Sequence, residues 1–300
     1  MHSQKIHNKK LILPVLIFLA GCLALAAVLY HSYRTNLKHM RAVTELNATT
    51  YAERLQNDMN RGVAITDTLE EIVLSENGKI DNFQKVAGNL MTDFVQSIQI
   101  APNGVVTDIY PEAGNEAGKI DLIHDESRGE ICRYGRDKNI VTMQGPFDLK
   151  QGGRGIAIRN PVYLECPDGT SAFWGFTIVI IRIPEVFEKS VQSLTQFGYD
   201  YCLTKTVSPL SDDTEVVSAS GNILKEPITF EFEFCGSTFG LEVMPTDGWN
   251  HGWNILPQLV FGICIILLLT GLTVIVLVVE RHRELSLIHI SEPTRLGMIS

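Results

Sequence analysis

The sequence predicts an α+β domain held between two membrane-spanning helices, and three observations carry that prediction. Residues 11–30 and 255–279 are uncharged apolar runs of 20 and 25 residues, each long enough to cross about 30 Å of hydrocarbon as a helix. The 224 residues between them, 31–254, begin with helical periodicity and then mix short helices with antiparallel strand signals, the order of an α+β domain rather than a doubly wound sheet. That segment carries 19 Lys/Arg against 31 Asp/Glu, so its surface repels nucleic acid, which is excluded as a partner.

Residues 1–10 are a basic N-terminus with Lys5, Lys9 and Lys10, and 11–30 follow as the first span. Leu19-Ala20-Gly21-Cys22 also spells a bacterial lipobox, and cleavage there, or as an ordinary signal peptide, stays open beside the anchor reading. The chain after Cys22 continues apolar to Tyr30, which favours the anchor. Orientation rests on the second span. No Lys or Arg occurs from Glu226 to Glu280, whereas Arg281 and Arg283 follow the apolar run at once. The C-terminal end is therefore expected inside, both termini in the cytoplasm and residues 31–254 outside the inner membrane. Trp249 and Trp253 fit an interfacial belt.

Residues 31–75 hold no proline and one glycine and place Leu55, Met59, Val63, Leu69, Ile72 and Val73 near one face, a long stalk helix able to pair with a second copy of itself. Asn77-Gly78 ends it, and Asp81 caps a helix over 82–94. Residues 95–101 and 105–110 form a hairpin around Pro102-Asn103-Gly104. A helix over 121–136 precedes strands over 139–144, 155–164 and 172–183, then a helix over 184–194 with its proline in the first turn. The last strands are 201–207, 215–219 and 229–243, the latter folded at Cys235-Gly236-Ser237. Residues 280–300 are a cytoplasmic tail in which 286–300, SLIHISEPTRLGMIS, resemble translated sequencing adapter. On that reading the chain is the outer half of a longer protein; the other reading is a short natural tail.

Few residues offer catalysis. Besides the membrane-proximal His31, His39 and His251, the middle segment has only His124, too few for a histidine-rich zinc site, and no HExxH, GxSxG or GxxxxGK[ST] motif occurs. His124 beside Asp125 and Glu126 reads as an acid-flanked helix start, and Gly152-Gly153-Arg154-Gly155 as a tight strand connection. No catalytic residue, metal or cofactor is assigned. Cys132, Cys166, Cys202 and Cys235 allow three disulfide pairings. Cys202 with Cys235 is favoured, since both lie in the last β region, with Cys132 and Cys166 left as the second pair; free thiols are the alternative.

Three stretches carry a family resemblance: IQIAPNGVVTDIYPEAGNEAGKIDLIHD from Ile98, GPFDLKQGGRGIAIRNPVYL from Gly145, and FWGF at Phe173 to Phe176. They resemble the CHASE family of extracytoplasmic sensor domains over about residues 69–194, and the placement between two spans is similar too. The resemblance implies a sensor domain over 76–245 built of tandem PAS-like modules on the stalk helix, an unidentified small-molecule ligand, and a cytoplasmic histidine kinase, diguanylate cyclase or phosphodiesterase behind the second span. Under that fold, Tyr110, Arg154, Arg159, Tyr163 and Trp174 are the candidates to line a ligand cavity, and Arg154 and Arg159 are the ones able to pair with a carboxylate or phosphate. Membrane lipid and a second copy complete the expected partners. The alternative function is a membrane-anchored binding module with no output.

Overall fold

In a computed structural model, which describes residues 2–112, 118, 120–150, 152–249 and 254–291, the chain forms two compact units: residues 1–40 with 250–300, and residues 41–249. Helix α1 (His2–Ser75) belongs to both and runs without a break from the first apolar segment into the stalk.

In the first unit, α1 is joined by α5 (Ile255–Ser291), and both helices are long and apolar enough to cross a membrane. Small residues set their approach. A Cβ on Gly21 would stand 2.9 Å from the Ile266 side chain, and one on Gly262 would collide with Leu25, so each glycine receives an aliphatic knob from the facing helix. Beside this contact lies an apolar groove of about 410 Å³, with Phe18, Cys22, Leu259 and Ile263 among its walls. Of the tail singled out in the sequence, residues 292–300 lie outside the described residues, as do Trp253 and the other histidine near the second span, His251.

The second unit holds two antiparallel sheets. After α2 (Phe83–Leu90), β1 (Val95–Pro102) and β2 (Asp108–Tyr110) form the expected hairpin, with Asn103 and Gly104 both at positive φ in its turn. Helix α3 (Gly129–Lys138) leads to β3 (Thr142–Asp148), β4 (Arg154–Glu165) and β5 (Ser171–Ile183). These strands assemble in the order β2-β1-β5-β4-β3. Helix α4 (Glu188–Gln196) then leads to β6 (Tyr199–Thr206), β7 (Thr214–Ala219), β8 (Ile228–Phe234) and β9 (Ser237–Pro245), ordered β7-β6-β9-β8. The result is the α+β architecture with two PAS-like modules.

One helix face serves both sheets. Ala48, Tyr51, Ala52 and Leu55 of α1 share a continuous core with Leu203, Phe239, Leu241 and Val243, and Met59, Ile65 and Leu69 share it with Ile98, Ile156, Ile158, Val179 and Ile181. A Cβ on Gly62 would lie 2.9 Å from Ile158 and 3.1 Å from Ile181, so the glycine lets the helix sink onto the five-stranded sheet. Polar bonds fix the contact: Thr177 Oγ1 donates to the Thr66 carbonyl at 3.0 Å, and Asn160 Nδ2 to Glu70 at 2.7 Å. The opposite face of that sheet is covered by a second core of Val106, Leu122, Ile123, Ile131 and Cys132 on Ala101, Ile109, Phe176 and Ile178.

Local departures from expectation have local causes. Asp81 does not cap α2; the cap position is Asn82 in left-handed conformation, without a side-chain cap bond, while the Asp81 N–H donates to Glu76. Helix α3 starts eight residues later than the periodicity predicts. Asp121 Oδ1 accepts the N–H groups of Ile123 and His124, and Asp125 Oδ1 those of Ser127 and Arg128, so two side-chain turns consume the donors a helix would use. Trp249 donates to the Lys225 carbonyl at 3.3 Å and lies under Arg41, 5.1 Å from its ring, which ties it into the second unit.

Gly175 explains its place in FWGF: it pairs with Pro102, and a Cβ there would run into the backbone carbonyl of Ala101. Backbone cannot give way as a side-chain tip can, so Gly175→Ala is expected to destabilise the outer unit by about 2 kcal/mol, read as a lower midpoint in thermal unfolding followed by circular dichroism.

Candidate functional site

Strand register decides which side chains can meet. Arg159 on β4 stands opposite Thr142 on β3 and Ile178 on β5, and Ile178 stands opposite Gln99 on β1. Directly opposed residues share a face, so all four lie on the side away from α1, beneath α3. Gln144, opposite Ala157, joins them one pair along.

Arg159 is 4% exposed. Its Nε and Nη1 have no hydrogen-bond partner, and neither do Thr142 Oγ1 and Gln144 Oε1. Burial holds the guanidinium below its ordinary pKa. Beside burial, Cys132, Arg128 and Asp125 act on it electrostatically, Arg128 lowering its pKa and the other two raising it, and no ion pair forms to Arg128 or Asp125. Asp125 is committed elsewhere: Oδ1 accepts from the Ser127 hydroxyl at 2.7 Å and from two backbone N–H groups, and Oδ2 lies 3.6 Å from Arg128 Nη1. These bonds, the Ser127 hydroxyl first, keep its pKa low. Cys132, fully buried, has its thiol pKa pushed up by burial and drawn back by Arg159 and Arg128. Gly135 brings α3 down on this patch, since a Cβ there would lie 2.9 Å from the Thr142 methyl.

The five sequence candidates fall in different places. Arg159 is the centre of the patch. Tyr163 shares its side of the sheet, packs edge-on against Phe173 at 5.6 Å and donates its hydroxyl to the Arg136 carbonyl, so it seals the end of α3. Tyr110 stands opposite Ile98 and fills the space beside Gly88 of α2. Trp174 donates to the Gly78 carbonyl at 3.0 Å. Both belong to the α1 side and face away from Arg159. Arg154 is exposed and, among the described residues, donates to the Val216 carbonyl alone, at 3.4 and 3.5 Å. Thr142 and Gln144 escaped the sequence reading, and Cys132 entered it only as a disulfide candidate; the alternation in β3 puts Thr142 and Gln144 on one face, but nothing local pairs them with Arg159.

Other features offer less. His124 Nδ1 lies 2.8 Å from Asp121 on an exposed turn, with no nucleophile beside it. Among the described residues no three His, Cys, Asp or Glu side chains converge on a metal site. An open groove of about 340 Å³ beside the stalk is lined by Asn47, Thr50, Tyr51, Arg54, Phe197 and Tyr199; its polar groups are partnered, with Asn47 donating to the Tyr199 hydroxyl at 2.7 Å and Arg54 over the Tyr51 ring at 5.2 Å.

All six cysteines are free thiols, and the register separates the expected pairs. Cys202 opposes Glu242, while Cys235 sits at the turn where Phe234 opposes Ser237, about 17 Å away along β9 against the ~7 Å limit for bridged Cα atoms. Cys166 follows the far end of β4, about 20 Å along the strand from the Arg159 that neighbours Cys132.

A family model described as the CHASE domain matches residues 31–215. No curated protein matches the chain. Among solved structures, an extracellular ligand-binding receptor from Desulfohalobium retbaense is similar at 12% identity and a TM-score of 0.52, over 67% of this chain and 39% of that one. This chain thus spans well under half of that receptor, and the likeness speaks to fold. The ligand-binding domain of the Campylobacter jejuni chemoreceptor Tlp3 with 4-methylisoleucine gives 12% and 0.46, over 74% and 96% of the two chains. That of the Pseudomonas aeruginosa amino-acid chemoreceptor PctC with GABA gives 12% and 0.42, over 69% and 98%.

The thiols make a test. Burial, with Asp67 adding to it, pushes the Cys235 pKa up to about 12, and Cys132 is raised by burial too. At pH 8 both should resist iodoacetamide in the native protein. Unfolding without reductant should then release all four thiols of the outer unit, counted by mass spectrometry; a cross-linked tryptic peptide would contradict this.

Proposed function

The chain belongs to the CHASE-domain family, and from that premise we propose a membrane receptor whose outer unit senses a small molecule through an anionic group held by Arg159. The observation that carries the ligand's charge is the buried guanidinium with unpartnered Nε and Nη1. Taking such an ion out of water without a partner costs several kcal/mol, and a bound carboxylate or phosphate offsets that cost with charge-assisted hydrogen bonds. Thr142 and Gln144 add neutral polar groups, and the apolar cover of Val106, Ile123 and Ile131 lowers the local dielectric around them.

In this reading the outer unit lies outside the inner membrane. Arg281 and Arg283 keep the C-terminal end of α5 in the cytoplasm, and the parity of two spans puts the N-terminus there as well. Lipid surrounds the apolar faces of both spans, and the stalk pairs with that of a second copy. Ligand acts by binding one arrangement of the helices better than another, because equal affinity for both would shift nothing. A cytoplasmic domain of the histidine kinase, diguanylate cyclase or phosphodiesterase class reads the shift.

Arg159→Met tests the central claim, since a structural arginine and a ligand-holding one respond oppositely. In the full chain in detergent micelles, the variant without ligand is expected to melt about 2–6 °C above wild type, because an unpaired buried charge is gone. It should also lose the rise in melting temperature that acetate, lactate, succinate, citrate or inorganic phosphate gives wild type. A variant that melts lower, beside a wild type that none of these anions stabilises, would make Arg159 structural and end the proposal.

A further inference from the structure

Which anion the patch admits is set by the groups around the guanidinium. Resting on the reading of Arg159 as the anion holder, we infer that the site selects a small hydroxycarboxylate, an anion with a neutral hydroxyl donor and no ammonium, over the corresponding amino acid.

Charge balance supplies the first argument. Of the ionised side chains that act on Arg159, Arg128 repels it and Asp125 attracts it, one of each sign, so the guanidinium's own positive charge is left unbalanced. Asp125 has both oxygens in use, by Ser127, backbone N–H groups and Arg128. A ligand ammonium would therefore stand near a guanidinium whose one attracting carboxylate, Asp125, has no oxygen to spare for it. One anionic group neutralises the site; a zwitterion restores the excess.

Hydrogen-bond polarity supplies the second. Gln144 Nε2 donates to the Ser127 carbonyl at 2.9 Å, which fixes the amide so that Oε1 is the end left over. That oxygen is buried and unpartnered, and as a pure acceptor it calls for a donor. A second carboxylate would meet it lone pair to lone pair. A hydroxyl donates to it without adding charge, and Thr142 Oγ1, directly across the ladder from Arg159 and also unpartnered, can accept from the ligand or donate to it.

Matched compounds separate these terms: glycolate with glycine and acetate, L-lactate with L-alanine and propionate, L-malate with L-aspartate and succinate. Each is titrated calorimetrically into the full chain in micelles, alongside Arg159→Met and Gln144→Met. In the set that binds best, the hydroxy acid is expected to bind about 100-fold or more tighter than the amino acid and about tenfold tighter than the acid lacking the hydroxyl. Gln144→Met should bring the second ratio to about one. Amino acids that bind as tightly as hydroxy acids, with binding lost in Arg159→Met, would overturn this inference and leave the anion reading standing. Binding that survives Arg159→Met would overturn both. Absence of binding across all three sets would overturn the inference as well.

Discussion

The outer unit depends on a single helix face. Met59, Ile65 and Leu69 close one side of the five-stranded sheet, and Ala48, Tyr51, Ala52 and Leu55, earlier on the same helix, close one side of the four-stranded sheet. Neither sheet could bury that face against the other alone, because both present apolar side chains toward α1. The stalk is thus the shared core element of both modules, which explains the run of residues 31–75 with no proline: a break would disrupt both cores at once. Gly62 is the necessary exception within it, placed where Ile158 and Ile181 need the room. Its helix-propensity cost of about 1 kcal/mol is small beside the aliphatic packing it permits.

The other face of the five-stranded sheet is built on a different principle. Its core is closed over Ala101, Ile109, Phe176 and Ile178, yet beside that core stand an arginine, a threonine and a glutamine with unmet hydrogen bonds. Lys205 in the four-stranded sheet shows the usual treatment of a buried charge. Its ammonium is fully enclosed but bonded to Glu215 at 3.1 Å and to the Thr206 carbonyl at 2.7 Å. The contrast with Arg159 is physical: one cation carries its own counterion and the other has none. A protein can bury a charge either way, but only the second leaves a standing demand for an anion from outside.

Much of this architecture was legible from periodicity. The strands from β4 to β9 fall close to their expected limits because alternation and turn residues such as Asp168-Gly169 and Cys235-Gly236 punctuate them. The start of α3 was not, because Asp121 and Asp125 read as helix-opening residues while in fact holding two successive turns. The candidate site was half legible. Arg159 was singled out together with Arg154 for the charge that could pair with an anion, while Tyr110 and Trp174 were grouped with it only for lying on strands. Their side of the sheet is a matter of parity: Tyr110 opposes Ile98, whereas Arg159 is aligned through Ile178 with Gln99, one residue along the same strand. A one-residue difference in register reverses the face. The favoured Cys202–Cys235 pair failed on position along the strand rather than on face, since sharing a β region says nothing about that position.

The same parity bears on how a bound anion could be felt beyond its own site. Neighbouring residues on a strand point to opposite faces, so Arg159 is flanked by two residues that touch the stalk. Ile158 fills the space above Gly62, and Asn160 donates to Glu70. One position across, Ile178 lies on the Arg159 face while Thr177 donates to the Thr66 carbonyl. A displacement of β4 that closes the guanidinium on an anion therefore moves the backbone that also carries these α1 contacts. The Asn160 link is polar and partly buried, with burial raising the pKa of Glu70, so small changes in its geometry alter the energy of the helix contact more than equal shifts between aliphatic groups would. Residues 62–70 are thus where α1 is gripped by this sheet. An anion held on one face of the sheet and the α1 contacts on the other would then be two readings of one strand.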